Sequence, residues 1–169
     1  MFFKKREKAQ AKTSKVWAVQ NGPVIPVTKV NDEAFSSKAL GDGVAVIPEG
    51  GTILSPVDGT IINIASTHHA YGIQAEDGTE ILVHIGIDTV SLKGKGFENL
   101  VEVDQKVKVG TPLCNVDLAY IKENGCQTDV IILLTDQGKW VSNGCHYFAD
   151  GSGCLRQPDL SYGDYSRCR

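Results

Sequence analysis

The sequence of 169 residues is long enough for one domain with a hydrophobic core, and an apolar content of 41% excludes a chain that is disordered throughout. Residues 1–15 carry a net charge of +5 and the remaining residues −8, which argues against nucleic-acid binding by the body of the protein. No segment is long and apolar enough to span a bilayer, and no apolar run follows the basic N-terminus as in a signal peptide, so we expect a cytoplasmic protein.

Three regions are predicted along the chain. Residues 1–15 form a basic, flexible arm, in which Phe2 and Phe3 precede three basic residues. Residues 1–8 could therefore bring the protein into weak peripheral contact with the inner face of a membrane, and a solvated tail is the alternative. Residues 16–140 form a domain of many strands, and residues 141–169 form an unusual tail.

Short runs rich in valine and isoleucine dominate residues 16–140, and Gly, Asp, Asn and Pro separate them at short intervals. The clearest runs are Thr60–Ile64, Ile81–Ile87, Val101–Val109 and Val130–Leu134. This pattern predicts an all-β fold, a sandwich or barrel of many short strands. The segments 51–60 and 107–113 share a turn-and-strand character, which indicates an internal duplication.

The segment 66–90 is predicted to be a hairpin whose two-residue type I′ turn is Asp77-Gly78. Glu76 then pairs with Thr79, and the residues on one face alternate along both strands. That face carries Thr67, His69, Tyr71, Ile73, Leu82, His84, Gly86 and Asp88. The other face, predicted to be the core side, carries Ile81, Val83, Ile85 and Ile87.

Two histidines, His69 and His84, are thus diagonal neighbours on the face away from the core. A neutral imidazole is a good nucleophile near pH 7, and a second imidazole can donate a hydrogen bond to a phosphoryl group on the first. A hydroxyl such as that of Thr67 can hold the tautomer of the second ring. The pair therefore indicates phosphoryl transfer, whereas His68 and His146 are expected to be non-catalytic.

The sequence also resembles a known family, the glucose-type EIIA domain of the bacterial phosphoenolpyruvate-dependent sugar phosphotransferase system. The motifs that carry the resemblance are SPVDGT at 55–60, THHA at 67–70 and HIGIDTV at 84–90. Further matches are NDEAF at 31–35, GDG at 41–43, LKGKGF at 92–97 and VKVG at 107–110. The resemblance covers roughly residues 20–137.

The resemblance implies an antiparallel β-sandwich that works as a phosphotransferase without cofactor or metal. It implies that His84 is the phosphorylated histidine, that His69 supports it and that Thr67 orients His69. Phosphate would come from phospho-HPr and go to a cysteine of an EIIB domain of a sugar permease. The implied docking surface is a shallow apolar depression formed by Phe35, Leu40, Ile73, Leu82 and Val90, with Asp88 at its rim.

The tail departs from the family, whose members usually end in further strands. It holds three of the five cysteines and lacks the alternation of a strand. We hypothesise a change of reading frame near residue 140, and a lineage-specific tail is the alternative. Sequencing the gene in independent clones decides between them, because an intact frame would exclude the first.

Three other functions are each suggested by part of the sequence. A zinc hydrolase is suggested by the spacing of His84 and Asp88, but no His-x-His pair supplies a third ligand. A biotinyl or lipoyl carrier is suggested by residues 56–59, but the hairpin tip at 77–78 has no lysine to modify. A regulatory module that senses sugar flux would use the same histidine site, so the sequence leaves it open.

Overall fold

The structure, a computed structural model, describes residues 16–135 and the backbone of two short strands at 146–147 and 154–155. The predictions about the arm at residues 1–15, including its membrane contact, lie outside the described residues. The predictions about the tail at 141–169 and its reading frame also lie outside them, apart from those two strands.

The described residues form mostly short strands. The strands are β1 Val24–Pro26, β2 Asp42–Val46, β3 Thr52–Leu54, β4 Gly59–Ile64, β5 Ala70–Ala75, β6 Glu80–Ile87, β7 Phe97–Asn99, β8 Lys106–Val107, β9 Pro112–Val116, β10 Gln127–Leu134, β11 His146–Tyr147 and β12 Cys154–Leu155. The helices are α1 Glu33–Ser36, α2 Leu118–Glu123 and two 3-10 turns, Val27–Lys29 and Thr89–Leu92.

All strand pairs are antiparallel within the described residues, as the family resemblance implied. Seven strands form one sheet in the order β1-β2-β10-β6-β5-β4-β8, three form a second in the order β3-β9-β7, and β11 pairs with β12. The all-β sandwich is therefore confirmed. The run Val101–Val109 is an exception, because only Lys106–Val107 is a strand there.

The two similar segments at 51–60 and 107–113 lie next to each other in the fold. The N–H of Ser55 donates to the carbonyl of Thr111 over 2.8 Å, and the N–H of Gly110 donates to the carbonyl of Ser55 over 3.0 Å. The two segments are thus hydrogen-bonded to each other, and the duplication itself stays a prediction.

Buried side chains form two clusters. The larger one draws on both sheets, with Ile53 and Leu113 from the three-stranded sheet and Ile61 and Ile85 from the seven-stranded sheet. The smaller one lies under the segment that contains α1, and its members are Val27, Val30, Phe35, Ala45, Ile87, Ile131 and Leu133. Both faces of the central strands are therefore covered, which explains the nearly continuous apolar run of β10.

The predicted register of the β5–β6 hairpin is wrong by one residue. Tyr71 pairs with Val83, and the N–H of Ala75 donates to the carbonyl of Thr79 over 2.8 Å, so the loop has three residues. A type I′ turn would need a positive φ at Asp77, but only Gly78 of the loop has one, at 85°. The side chain of Asp77 instead accepts from the N–H of Thr79 over 2.9 Å and closes the wider loop.

This register moves Tyr71 and Ile73 to the core. Both are completely buried in the larger cluster, so the prediction that they share the face of His84 is wrong, and Ile73 has no surface to offer a partner. Ile87 also differs from the prediction, because it packs in the smaller cluster rather than with Ile85. A bulge explains this difference: the β6–β10 register shifts near Gly86, where φ is 76°.

Candidate functional site

His84 lies near the middle of β6, next to members of the smaller cluster. Its neighbours across the sheet are Ala70 on β5 and Ile131 on β10. The methyl group of Ala70 is too small to cover the imidazole, whereas Ile131 belongs to the smaller cluster. The ring of His84 is therefore packed on the side of Ile131 and left uncovered by the side chain of Ala70 on the other.

His69 reaches the same place from a turn rather than from a strand. The N–H groups of Ala65 and His68 close this turn onto the carbonyls of Ala70 and Ala65, and φ at His68 is 56°. The ring of His69 lies 5.0 Å from the ring of His84, measured between centroids, with an angle of 80° between the planes. The edge of one ring thus faces the other ring.

Thr67 fixes the orientation of His69. Its hydroxyl lies 2.6 Å from Nδ1 of His69, which is a short hydrogen bond. When the hydroxyl donates this bond, the proton of the neutral ring is on Nε2, and this atom can donate to a further group. The structure thus brings together the three residues, Thr67, His69 and His84, that the sequence singled out.

Both imidazoles are kept neutral near pH 7. The pKa of His84 is lowered to about 4, chiefly by burial and then by the charge of a protonated His69, while the backbone hydrogen bond with Gly86 and the carboxylate of Asp32 act in the opposite direction. Burial also lowers the pKa of His69. Nδ1 of His84 is buried, with no hydrogen bond of full geometry in the described part of the chain, so it is closed to an incoming group and Nε2 is the nitrogen left for one.

The backbone after His84 is shaped by a buried hydroxyl. Thr89 is fully buried, and its hydroxyl donates to the carbonyl of Ile85 over 2.7 Å across the bulge at Gly86. Asp88 sits between them with a φ of 62° and an exposed side chain. This local fold ends β6 within four residues of His84 and leads the chain away from the ring.

Two comparisons with known proteins bear on this site. Residues 14–140 match the family model for the phosphoenolpyruvate-dependent sugar phosphotransferase system, EIIA 1. The chain belongs to this EIIA family. A solved structure of glucose permease IIA from Mycoplasma capricolum is 42% identical, with a TM-score of 0.69, and the match covers 75% of this chain and 83% of that one.

The protein is therefore a phosphocarrier component of the sugar phosphotransferase system, as its motifs implied. Membership implies that this EIIA domain interacts with HPr and with an EIIB domain. No helix among the described residues is long and apolar enough to cross a membrane. Nor do residues 16–135 contain a group of three or more His, Cys, Asp or Glu side chains that could hold a metal ion.

The side chains predicted to form the docking surface differ in exposure. Leu40 and Val90 are 48% and 58% exposed, whereas Leu82 is half-buried against the smaller cluster. Phe35 is 6% exposed and touches His84, with 4.9 Å between the ring centroids. In this EIIA domain the exposed apolar surface near the site is thus carried mainly by Leu40 and Val90.

Two contributions to the site were not foreseen from the sequence. The negative charge of Asp32 raises the pKa of His84, and its side chain also caps α1, so the NDEAF motif contributes to the site as well as to the helix. Gly94 borders Thr67, and its φ of 85° rather than a lack of space favours glycine there, because a Cβ would be at an ordinary contact distance of 3.8 Å from the Cα and carbonyl oxygen of Thr67. The spacing of Asp32 and Phe35 is an N-cap signal that could have pointed to α1.

Proposed function

We propose that Nε2 of His84 accepts a phosphoryl group from phospho-HPr and passes it to a cysteine of an EIIB domain, for sugar uptake and phosphorylation. The observation that carries this proposal is the edge-to-face pair of imidazoles, 5.0 Å apart, with Thr67 bonded to one of them. His84 is neutral at neutral pH, and with its one ring proton on the buried Nδ1 the lone pair is on Nε2, which is the state that a nucleophile needs.

The transfer is balanced without any further reactant. The lone pair of Nε2 attacks phosphorus, the bond between phosphorus and its donor group on HPr breaks, and that bonding pair leaves with HPr. In the second transfer a thiolate sulfur of EIIB attacks phosphorus, and the bond between phosphorus and His84 breaks. Positioning and charge stabilisation account for most of the catalysis in such steps.

His69 stabilises the phosphorylated state in this proposal. A phosphoryl group on His84 brings close to two negative charges into a partly buried site, where an unpaired charge is costly. The free Nε2–H of His69 donates a hydrogen bond to a phosphoryl oxygen, and Thr67 holds the tautomer that makes this possible. Thr67 is thus a positioning residue that acts through His69.

The partner proteins dock around this pair. The exposed side chains of Leu40 and Val90 provide apolar surface, and Asp88 provides a negative charge beside it. Close docking excludes water from the phosphoryl group, which would otherwise be hydrolysed. The relay takes place in the cytoplasm, as expected from the sequence.

The proposal is tested by incubating the full chain with phosphoenolpyruvate, enzyme I and HPr and measuring the intact mass. The wild type is expected to gain one acid-labile, base-stable phosphoryl group and His84→Ala none. His69→Ala is expected to accept phosphate but to transfer it to EIIB poorly. His68→Asn is the matched control, because this neighbouring histidine is predicted to be non-catalytic and asparagine tolerates its positive φ. A folded wild type that stays unmodified would refute the proposal.

A further inference from the structure

The ring of Phe35 is the second aromatic neighbour of His84. The two ring centroids are 4.9 Å apart and the planes are tilted by 60°. Phe35 comes from α1, nearly fifty residues before His84 in the chain, and it is 6% exposed. The imidazole of His84 therefore touches a phenyl ring from one element and the imidazole of His69 from another.

Phe35 is itself held firmly. It packs in the smaller cluster with Val27, Val30 and Ile87, so apolar side chains support the ring. The helix that carries it is only four residues long and is stabilised by its N-cap. The side chain of Asp32 accepts hydrogen bonds from the N–H groups of Ala34 over 2.9 Å and Phe35 over 3.3 Å.

We propose that Phe35 is a positioning residue for phosphoryl transfer: it holds the imidazole of His84 in a fixed orientation and keeps water from its buried edge. This inference rests on the proposed function of His84. It differs from a docking role, because a side chain that is 6% exposed offers little area to a partner. Leu40, which is 48% exposed, has the opposite character.

Contact with Phe35 also affects the protonation of His84. A phenyl ring removes water from one side of the imidazole, and loss of water disfavours the charged form. The charged or titratable groups that act on His84 from the packed elements are His69, which lowers its pKa, and Asp32, which raises it. Both remain when Phe35 is replaced, so the change in pKa reports the loss of the ring.

A positioning role of Phe35 is distinguished from a docking role by comparing Phe35→Ala and Phe35→Leu with Leu40→Ala, all in the full chain. The first measurement is an NMR titration of the His84 imidazole. The second is the pH profile of phosphorylation by phospho-HPr. Phe35→Ala is expected to raise the pKa of His84 by roughly one unit or more towards the ordinary value and to move the acid limb of the profile by the same amount. Above that limb the rate is expected to stay about tenfold below wild type, because the ring is less well oriented.

Leu40→Ala is expected to lower the rate without moving the titration of His84. Phe35→Leu keeps most of the apolar volume, so it remains folded even if the alanine variant does not, and it is expected to show a smaller shift in the same direction. An unchanged titration in a folded Phe35 variant, or an equal shift in Leu40→Ala, would overturn the inference. Failure of His84 to become phosphorylated in the wild type would instead refute the proposed function, and the titration decides the positioning role independently.

Discussion

The backbone at Gly86 leaves no room for a side chain, so a substitution there is expected to destabilise the protein. Gly86 has a φ of 76°, and an alanine there would place its Cβ 2.3 Å from Cγ2 of Thr89 and 2.7 Å from the carbonyl oxygen of Gln127. Neither neighbour can move easily. Thr89 is fully buried and bonded to the carbonyl of Ile85, and the oxygen of Gln127 belongs to the backbone of β10.

Two costs add in Gly86→Ala. Forcing a residue with a Cβ into the left-handed region costs about 1–2 kcal/mol, and overpacking a buried site costs typically about 1–3 kcal/mol more. The free energy of unfolding is thus expected to fall by about 2–5 kcal/mol. Gly125 is a matched control, since its φ is 77° and a Cβ there would have no neighbour within 4 Å. Gly125→Ala is expected to cost about 1–2 kcal/mol.

Urea unfolding of both variants measures this difference, provided that the slope against denaturant concentration is unchanged. Phosphorylation by phospho-HPr is the second assay. It is expected to be slowed in Gly86→Ala, because the strand must shift two residues after His84, and to be normal in Gly125→Ala. If the two alanine variants were equally stable, the contact with Thr89 and Gln127 would not constrain the bulge, and the reasoning would be refuted.

Three further predictions concern the site directly. Thr67→Val removes the 2.6 Å bond to His69 and is expected to slow phosphoryl transfer to EIIB about tenfold in a rapid-quench assay, while unfolding changes little. Asp32→Ala removes the cap of α1 and is expected to cost about 1 kcal/mol in urea unfolding and to lower the pKa of His84 in NMR, because a nearby negative charge is lost. The imidazole of His84 takes up a proton below about pH 6.5 in the unfolded chain but only near pH 4 in the folded chain. As the pH falls across this interval, the free energy of unfolding in urea is therefore expected to fall by up to about 3 kcal/mol. It is expected to fall less in His84→Ala.

The fold could be predicted from the sequence because most strands carry their signal locally. Runs of Val and Ile bounded by turn residues gave β4, β6 and β10 correctly. The hairpin register could not be obtained in this way, because an Asp-Gly sequence fits both a two-residue type I′ turn and a three-residue loop with a positive φ at its glycine alone. A one-residue error then exchanges the faces of a strand, which is why Tyr71 and Ile73 were placed outside the core.

The pairing of His69 with His84 was nevertheless predicted, and the reason lies in the backbone around them. Strict alternation in the observed register would direct His69 to the core, since its carbonyl accepts from the N–H of Ile85 over 2.7 Å. The turn at residues 65–70, with its positive φ at His68, instead brings the ring of His69 to His84. The contact of Phe35 with His84 gives no periodic signal, because it joins residues that are far apart in the chain.

The environment of His84 is unfavourable for a purely structural histidine. Its Nδ1 is buried with no hydrogen bond of full geometry among the described residues, and the backbone hydrogen bond with Gly86 offsets only part of the effect of burial on its pKa. The same burial prevents protonation near pH 7 and so keeps the lone pair of Nε2 free. A buried, neutral ring beside a second, hydroxyl-oriented ring is the arrangement that our proposal of phosphoryl transfer at His84 requires.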